Sequence, residues 1–225
     1  MLRKWRSDNS MAQQNLPKYF EVCRTVSRQL EKAGLRVTAL GPSAKARFLA
    51  HPDPNRVLQT LQTYSDVLEA QFDAGESLRD DKKLLWRMLS KMGYAPRAEA
   101  FEAIEAGDVI EVFTEDNWQI FRNMTYFDLI HITVDELATL RWSRDYKRPL
   151  AFLLSCIRLG LMFKSGMIRE TQAITMSRHE IQLHGGGLWQ KFSIKLKVIS
   201  PLKKDGVTDA YIITSDPKPL SLGAV

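Results

Sequence analysis

The sequence predicts an α+β protein, because helical apolar spacing in its first part gives way to short strand-like runs in its second part. Before residue 96 the apolar residues recur mainly at spacings of three and four, the period of an amphipathic helix. After Pro96 short β-type runs separated by turns appear, and residues 191–198 alternate polar and apolar side chains. The fold class follows from this change of period along the chain.

Length and composition predict a globular protein. The chain has 225 residues, of which 44% are hydrophobic and 26% are charged, values typical of globular chains and unlike those of disordered or fibrous ones. The longest apolar run, residues 150–163, contains Arg158 and is shorter than the roughly 20 residues that cross a bilayer. No apolar segment of signal-peptide type follows the basic N-terminus. A cytoplasmic protein without a membrane partner is therefore expected.

The formal net charge of +6 comes from the N-terminal part of the chain. Residues 1–50 contain 10 lysines and arginines against 3 acidic residues, whereas residues 51–225 contain 22 against 23. A basic segment of 50 residues followed by a nearly neutral remainder is compatible with one alternative function. This alternative is a transcription-associated protein whose first 50 residues contact nucleic acid. The neutral body argues against a broad surface that reads DNA.

Three amphipathic helices are predicted in the first 95 residues. The first begins at Pro17, a residue that suits the first helical position, and ends at Gly34. The second begins near Asn55 and the third ends at Gly93. These last two are expected to form a hairpin or to pack across a dimer. The apolar stripe of the second helix consists of Val57, Leu61, Tyr64 and Leu68.

Strands surround two helical segments in the rest of the chain. Strand candidates at 109–113 and 118–121 flank a four-residue turn, and helical segments follow at 125–140 and 149–164. Thr133 and Glu136 have the spacing of a capping box. Three more strand candidates cover residues 172–183, 189–199 and 210–215. The inward face of the middle one is predicted to consist of Phe192, Ile194, Leu196 and Val198.

This order of elements resembles that of PAS sensory domains, and the resemblance covers residues 105–216. Residues 108–137 are similar to the first PAS hairpin and the segment after it, where such domains carry an Asn, an aromatic residue and a Glu-Leu pair. Here these residues are Asn123, Phe127 and Glu136-Leu137. Residues 199–206, with a charged turn, and residues 209–213 are similar to the closing PAS hairpin.

The resemblance implies a five-stranded antiparallel sheet with flanking helices around an apolar pocket. It also implies a homodimer, with residues 1–95 as dimer or signalling helices and residues 217–225 as a tail. A regulatory sensor or adaptor that binds a small organic ligand and signals to a partner protein is expected, and not an enzyme. Arg122 and Asn123, which follow the second strand, are further candidates for polar contacts, with surface exposure and helix capping as the alternatives. The side chains expected to face the ligand are Phe121, Phe127, His131, Trp142, Phe152 and Tyr211.

No motif identifies a cofactor, a metal or a catalytic centre. Haem-binding PAS domains usually carry their histidine on the longer helix, which has none here, and the residues around Cys156 do not match the motif of flavin photoreceptors. Haem and flavin are therefore supported by no motif, and the cofactor stays unassigned. No nucleophile elbow or phosphate-binding loop occurs. None of the four histidines has the spacing of a zinc site; they are His51, His131, His179 and His184.

Overall fold

The computed structural model describes residues 2–141, 145–185 and 188–224, and its architecture is α+β, as the change of period predicts. The described ranges contain eight helices and seven strands. The helices are α1 (Leu2–Lys32), α2 (Ala44–Leu49), α3 (Pro54–Asp73), α4 (Asp81–Lys91), α5 (Ala98–Glu102), α6 (Met124–Leu129), α7 (Val134–Ala138) and α8 (Leu150–Lys164). The strands are β1 (Val109–Thr114), β2 (Gln119–Arg122), β3 (Tyr146–Lys147), β4 (Gln172–Ala173), β5 (His179–Gly185), β6 (Leu188–Lys204) and β7 (Val207–Ala224).

All seven described strands belong to one antiparallel sheet. Its order is β2-β1-β7-β6-β5-β3, and β4 pairs with β6. The expected sheet had five strands, and the two additional ones, β3 and β4, have two residues each. The five longer strands lie along the chain as predicted, two before the helical segments α6 to α8 and three after them.

The last strand is longer than its sequence pattern predicts. β7 extends to Ala224, so residues 217–224, expected to be a tail, pair with β6. Pro217 and Pro219 end the predicted strand because proline has no N–H for a ladder. The pairing of β1 with β7 ends at Ser215, however, so beyond that residue β6 is the one described strand that pairs with β7. Prolines are compatible with a strand edge of this kind.

A β-bulge in β6 changes which side chains face the core. Leu196 and Val198 pair with adjacent residues of β7, so Lys197 is the extra residue on this strand. Leu196 is 6% exposed, as predicted, but beyond the bulge the buried residue is Ile199, which is 1% exposed. The inward prediction for Val198 is wrong, because strict alternation holds only where no residue is inserted.

Helix α1 begins at Leu2, so the prediction that Pro17 starts it is wrong. A proline inside a helix removes one backbone hydrogen bond, and tertiary packing offsets that loss here. The Tyr19 ring stacks on the Phe48 ring at 4.1 Å, and the Tyr19 hydroxyl donates to the Asp135 carbonyl at 3.2 Å. No helix in the described ranges is long and apolar enough to cross a membrane.

The N-terminal helices share one hydrophobic core with the sheet. The Tyr64 ring meets the Phe121 ring edge-on at 6.1 Å, and the Tyr64 hydroxyl donates to the Arg122 carbonyl at 2.9 Å. Helices α3 and α4 contact each other within the chain, which agrees with the first of the two expected arrangements, and their buried faces are not available for a dimer. The buried stripe on α3 contains Val57, Leu61, Tyr64 and Leu68.

Asn123, which the PAS resemblance singles out, connects the first hairpin to α4. Its side chain is fully buried. The Oδ1 atom accepts from the Ile110 N–H at 3.0 Å, and Nδ2 donates to the Asp108 carbonyl at 2.8 Å and to the Asp81 carboxylate at 2.9 Å. Because every polar atom of the amide is bonded within the core, Asn123 has a structural role.

The capping box at the start of α7 is confirmed. The Thr133 hydroxyl accepts from the Glu136 N–H, and the Glu136 carboxylate accepts from the Thr133 N–H at 3.0 Å. Two backbone N–H groups of α7, those of Val134 and Asp135, donate to carbonyls of the segment between α1 and α2. These bonds join the N-terminal region to the second half of the chain.

The bulge at Lys197 predicts that substitutions at the adjacent positions 198 and 199 lower the free energy of unfolding by different amounts. Ile199→Asp should destabilise the protein by about 3 kcal/mol or more, because it places an unpaired carboxylate in the core. Val198→Asp should cost less than half as much, since this side chain is partly exposed. Urea titrations of both variants measure the two free energies of unfolding. Equal costs, or a larger cost at Val198, would show that β6 has no bulge at Lys197.

Candidate functional site

A cavity of about 720 Å³ lies between the sheet and helix α8. Its size is that of a pocket for a small organic molecule. Inward-facing side chains of β1, β6 and β7 line one side, and one face of α8 lines the other. The apolar side chains that form these walls include Phe113, Phe152, Phe163, Phe192, Leu196 and Ile199.

Helix α8 closes the cavity and is apolar on both sides. Phe152 and Phe163 are buried and line the cavity, whereas Leu154 and Leu161, on the opposite side, are more than half exposed. Cys156 also lines the cavity, and burial raises the pKa of its thiol to about 12. The thiol is therefore protonated at neutral pH and contributes a small, weakly polar surface.

A chain of three polar side chains lies on the floor of the cavity. Glu111 and Arg122 face each other across β1 and β2, and Gln119 joins them. The Gln119 amide donates to the Glu111 carboxyl group, and its carbonyl oxygen accepts from the Arg122 guanidinium. That guanidinium also donates to the Leu137 carbonyl at 3.4 Å and lies 5.2 Å from the centre of the Tyr126 ring. Glu111 and Arg122 are thus linked through Gln119, and hydrogen-bonded polar side chains of this kind are compatible with burial.

Two tyrosines add hydroxyl groups beside this cluster. The hydroxyl oxygens of Tyr126 and Tyr146 are 3.0 Å apart, and both residues line the cavity. Burial raises the pKa of both phenols above the ordinary value of 10, that of Tyr146 by a large amount. Both side chains are therefore neutral, so each hydroxyl can donate one hydrogen bond and accept others.

Glu111 is the carboxyl group at the centre of this floor. Burial raises its pKa, and the nearby Arg122 and the Gln119 amide oppose that rise. β1 is an inner strand between β2 and β7, yet the Glu111 side chain keeps some accessible surface. Because Glu111 lines the cavity, we attribute that surface to the cavity.

The rim of the cavity is polar and includes the N-terminal region. Asp53 and Arg56, at the start of α3, and Asp116, in the β1–β2 turn, line it and are partly or fully exposed. The Arg56 guanidinium binds both carboxylate oxygens of Asp116 and lies 4.7 Å from the centre of the Trp118 ring. The hydrogen bonds from Arg56 lower the pKa of Asp116 to about 2. The ion pair therefore persists across the physiological pH range.

The structure places two of the six predicted ligand residues at the cavity. Phe152 projects from α8, and Tyr211 from β7, where its hydroxyl donates to the Asn117 side chain at 3.0 Å. His131 does not line the cavity; it is exposed, and its backbone exchanges two hydrogen bonds with the Gln190 side chain. Trp142 lies outside the described residues.

The other two predicted residues pack against α3. Phe121 faces the Tyr64 ring because Ile120 is an extra residue in β2, which moves Phe121 to the face that it shares with Val112. The Phe127 ring also meets Tyr64, at a centre-to-centre distance of 6.4 Å. Both belong to the core on the side of the sheet away from the cavity.

The polar floor is the part of the site that sequence reasoning missed. Glu111 interrupts an otherwise apolar strand between Ile110 and Val112, and this interruption could have marked it. Arg122 was noted as a candidate polar contact, and it does line the cavity. The sequence does not single out Tyr126 and Tyr146 in the same way, because aromatic residues are common in a hydrophobic core.

Comparison with known proteins adds no relative. The chain matches no protein-family model, no curated protein and no solved structure at a significant level. Within the described ranges no group of three or more histidine, cysteine, aspartate or glutamate side chains is arranged to hold a metal ion. The function must therefore be argued from the cavity itself.

The raised pKa of Glu111 predicts how stability depends on pH. Burial disfavours the ionised form of Glu111 in the folded state and so raises its pKa, and the contribution of this group to stability is therefore lost as pH rises through that pKa. Glu111→Gln removes this titration. The variant should therefore be more stable than the wild type at pH 8, and the difference should shrink towards pH 5.

Urea titrations at the two pH values measure this difference. Glu115→Gln, at an exposed position in the β1–β2 turn, is the matched control and should show no such change. A Glu111→Gln variant that is less stable than the wild type at pH 8 would contradict the prediction.

Proposed function

We propose that this protein is a regulatory sensor that binds a small organic ligand in the cavity beneath α8 and signals to a partner protein. The observation that carries the proposal is the cavity of about 720 Å³, which combines aromatic and aliphatic walls with a few convergent polar groups. Such a combination is typical of small-molecule sites, where apolar walls contribute affinity and polar groups set orientation. The PAS resemblance of residues 105–216 supports the same role.

The α+β architecture is compatible with a PAS-like fold. Its element order agrees with the resemblance: a first hairpin, then helices, then three consecutive antiparallel strands, with the cavity between sheet and helix. In this proposal the polar floor binds and orients the ligand and performs no reaction. We propose a cytoplasmic protein that acts as a homodimer, through a surface other than the buried faces of α3 and α4.

The rim supplies a route from the cavity to the N-terminal helices. The Trp118 indole N–H donates to the Thr60 hydroxyl of α3 at 3.0 Å, and the His51 ring meets the Trp118 ring edge-on at 5.3 Å. Arg56 of α3 also lies over the Trp118 ring. A ligand that displaces Trp118 would therefore change contacts of α3, and through them the surface offered to a partner.

A fluorescent apolar probe tests whether the cavity binds ligands. N-phenyl-1-naphthylamine should bind the wild-type protein at a single saturable site with increased fluorescence. Cys156→Trp, which fills part of the cavity, should weaken binding at least tenfold, because the added ring occupies the space of the probe. Leu154→Trp, on the exposed side of the same helix, should change the affinity less than twofold.

The two tryptophan variants separate a cavity site from surface binding. Circular dichroism and thermal melts establish that both variants are folded. Equal affinities in the two variants would place the probe outside the cavity and would overturn the proposal. Native mass spectrometry of the purified wild-type protein gives a second measurement, because it reports a co-purified ligand and the number of subunits together.

A further inference from the structure

Arg122 is a buried cation that reaches a carboxyl group only through another side chain. The residue is 7% exposed. Its terminal nitrogens donate to the Gln119 carbonyl oxygen and, at 3.4 Å, to the Leu137 carbonyl, and Gln119 in turn donates to Glu111. The Arg122 Nε atom is buried and has no hydrogen-bond partner in the described parts of the chain. Because an unpaired buried charge costs free energy, an anion bound in the cavity would supply a partner that the protein itself does not.

The Arg122 side chain lines the cavity and keeps hydrogen-bond donors for a ligand. Each terminal nitrogen of a guanidinium carries two N–H groups, and each of the two in Arg122 makes one hydrogen bond to a carbonyl oxygen. A planar guanidinium fits the two oxygens of a carboxylate. The walls above this floor are apolar and include phenylalanine rings of β1, β6 and α8. A ligand there would have an apolar body against the walls and an anionic group at Arg122.

The charged side chains that line the described part of the cavity favour an anion. Four arginines line it against three carboxyl groups, those of Asp53, Glu111 and Asp116. The lining is therefore net positive whether Glu111 is ionised or protonated. Burial raises the pKa of Glu111, which favours its neutral form and adds to the positive balance. His51 also lines the cavity, and a histidine is either neutral or positive. The four arginines are Arg56, Arg122, Arg141 and Arg148.

The two acidic side chains at the rim are engaged with the start of α3. The Asp53 carboxylate is exposed and accepts from the Arg56 N–H at 2.9 Å. The Arg56 guanidinium is paired with Asp116. These groups are close to solvent, so they add little repulsion for an anion on the cavity floor.

The other two arginines lie nearer the solvent than Arg122. Arg141 is exposed, and Arg148 is partly buried with its guanidinium 5.8 Å from the centre of the Tyr146 ring. Water screens such charges more strongly than that of a buried group. The position of a bound anion is therefore determined mainly by Arg122, and the outer arginines attract it towards the cavity.

We infer that the ligand is a carboxylate with an apolar, ring-containing body, and that its carboxylate group binds the Arg122 guanidinium on the cavity floor. This inference rests on the proposed function, since it names the class of molecule that the cavity takes. The Tyr126 and Tyr146 hydroxyls are bonded to each other, and the one that accepts keeps its own proton as a further donor for the same carboxylate. A ligand with an ammonium group would instead meet the Arg122 charge.

Three naphthalene compounds with one ring system test the inference. They are 2-naphthoate, an anion; 2-naphthamide, an uncharged compound of nearly the same shape; and 2-naphthylmethylamine, a cation at neutral pH. Titration calorimetry at pH 7 should show 2-naphthoate binding the wild-type protein at least tenfold more tightly than each of the other two. A tenfold difference corresponds to about 1.4 kcal/mol, comparable to the contribution of a hydrogen bond to a charged group.

Substitutions at position 122 assign the preference to one side chain. Arg122→Gln removes the positive charge and should bring the ratio of 2-naphthoate affinity to 2-naphthamide affinity close to one. Arg122→Lys keeps a charge without the planar guanidinium, so a reduced preference for 2-naphthoate should remain. Arg158→Gln, on the exposed side of α8, is the matched control and should leave the wild-type ratio unchanged. Circular dichroism and thermal melts establish that each variant is folded.

The outcomes separate this inference from the proposed function. If 2-naphthoate and 2-naphthamide bind the wild type equally well, and Cys156→Trp weakens both, the inference fails and the cavity remains the binding site. A full preference for 2-naphthoate in Arg122→Gln also overturns the inference. If that variant does not fold, Arg122→Lys decides, because an unreduced preference there would mean that the guanidinium is not the binding group. If N-phenyl-1-naphthylamine and the naphthalene compounds all bind Cys156→Trp as well as the wild type, the proposed function fails as well.

Discussion

A sheet that is apolar on both faces must be covered on both, and the arrangement of the whole chain depends on this requirement. Ile110 and Val112 of β1 are fully buried on one face, and Phe113 is buried on the other. The N-terminal helices cover the first face through contacts such as Tyr64 with Phe121. Helix α8 covers the second, and the cavity is the space between this helix and the sheet.

The cavity floor departs from the pattern that makes the rest of the sheet stable. An apolar residue at position 111 would suit a buried strand, and Glu111 costs free energy that Gln119 and Arg122 offset only in part. Local rules of this kind are usually broken where a protein needs a polar group for binding. Burial thus accounts for the walls of the cavity, and the exception to burial accounts for its polar groups.

The sequence predicted elements where a local period or motif decides the structure. Helix α8 was expected at 149–164 and lies at 150–164, and the capping box at Thr133 and Glu136 is present. Two of the errors arise where one inserted residue reverses a strand. Ile120 turns Phe121 away from the cavity, and Lys197 turns Val198 away from the core. The pattern of apolar residues in the sequence does not show where a bulge occurs. The face of the sheet on which Phe121 and Val198 lie could therefore not be predicted.

The shared core also bears on how this chain could be rearranged in evolution. Domains can be exchanged between proteins when they carry their own complete core. Here residues 105–216 do not, because the Phe121 face of their sheet is completed by α3 and their α7 is bonded to the segment before α2. Recombination at the boundary near residue 100 would transfer a sheet with one bare apolar face. The inherited unit is therefore the N-terminal helices together with the sheet.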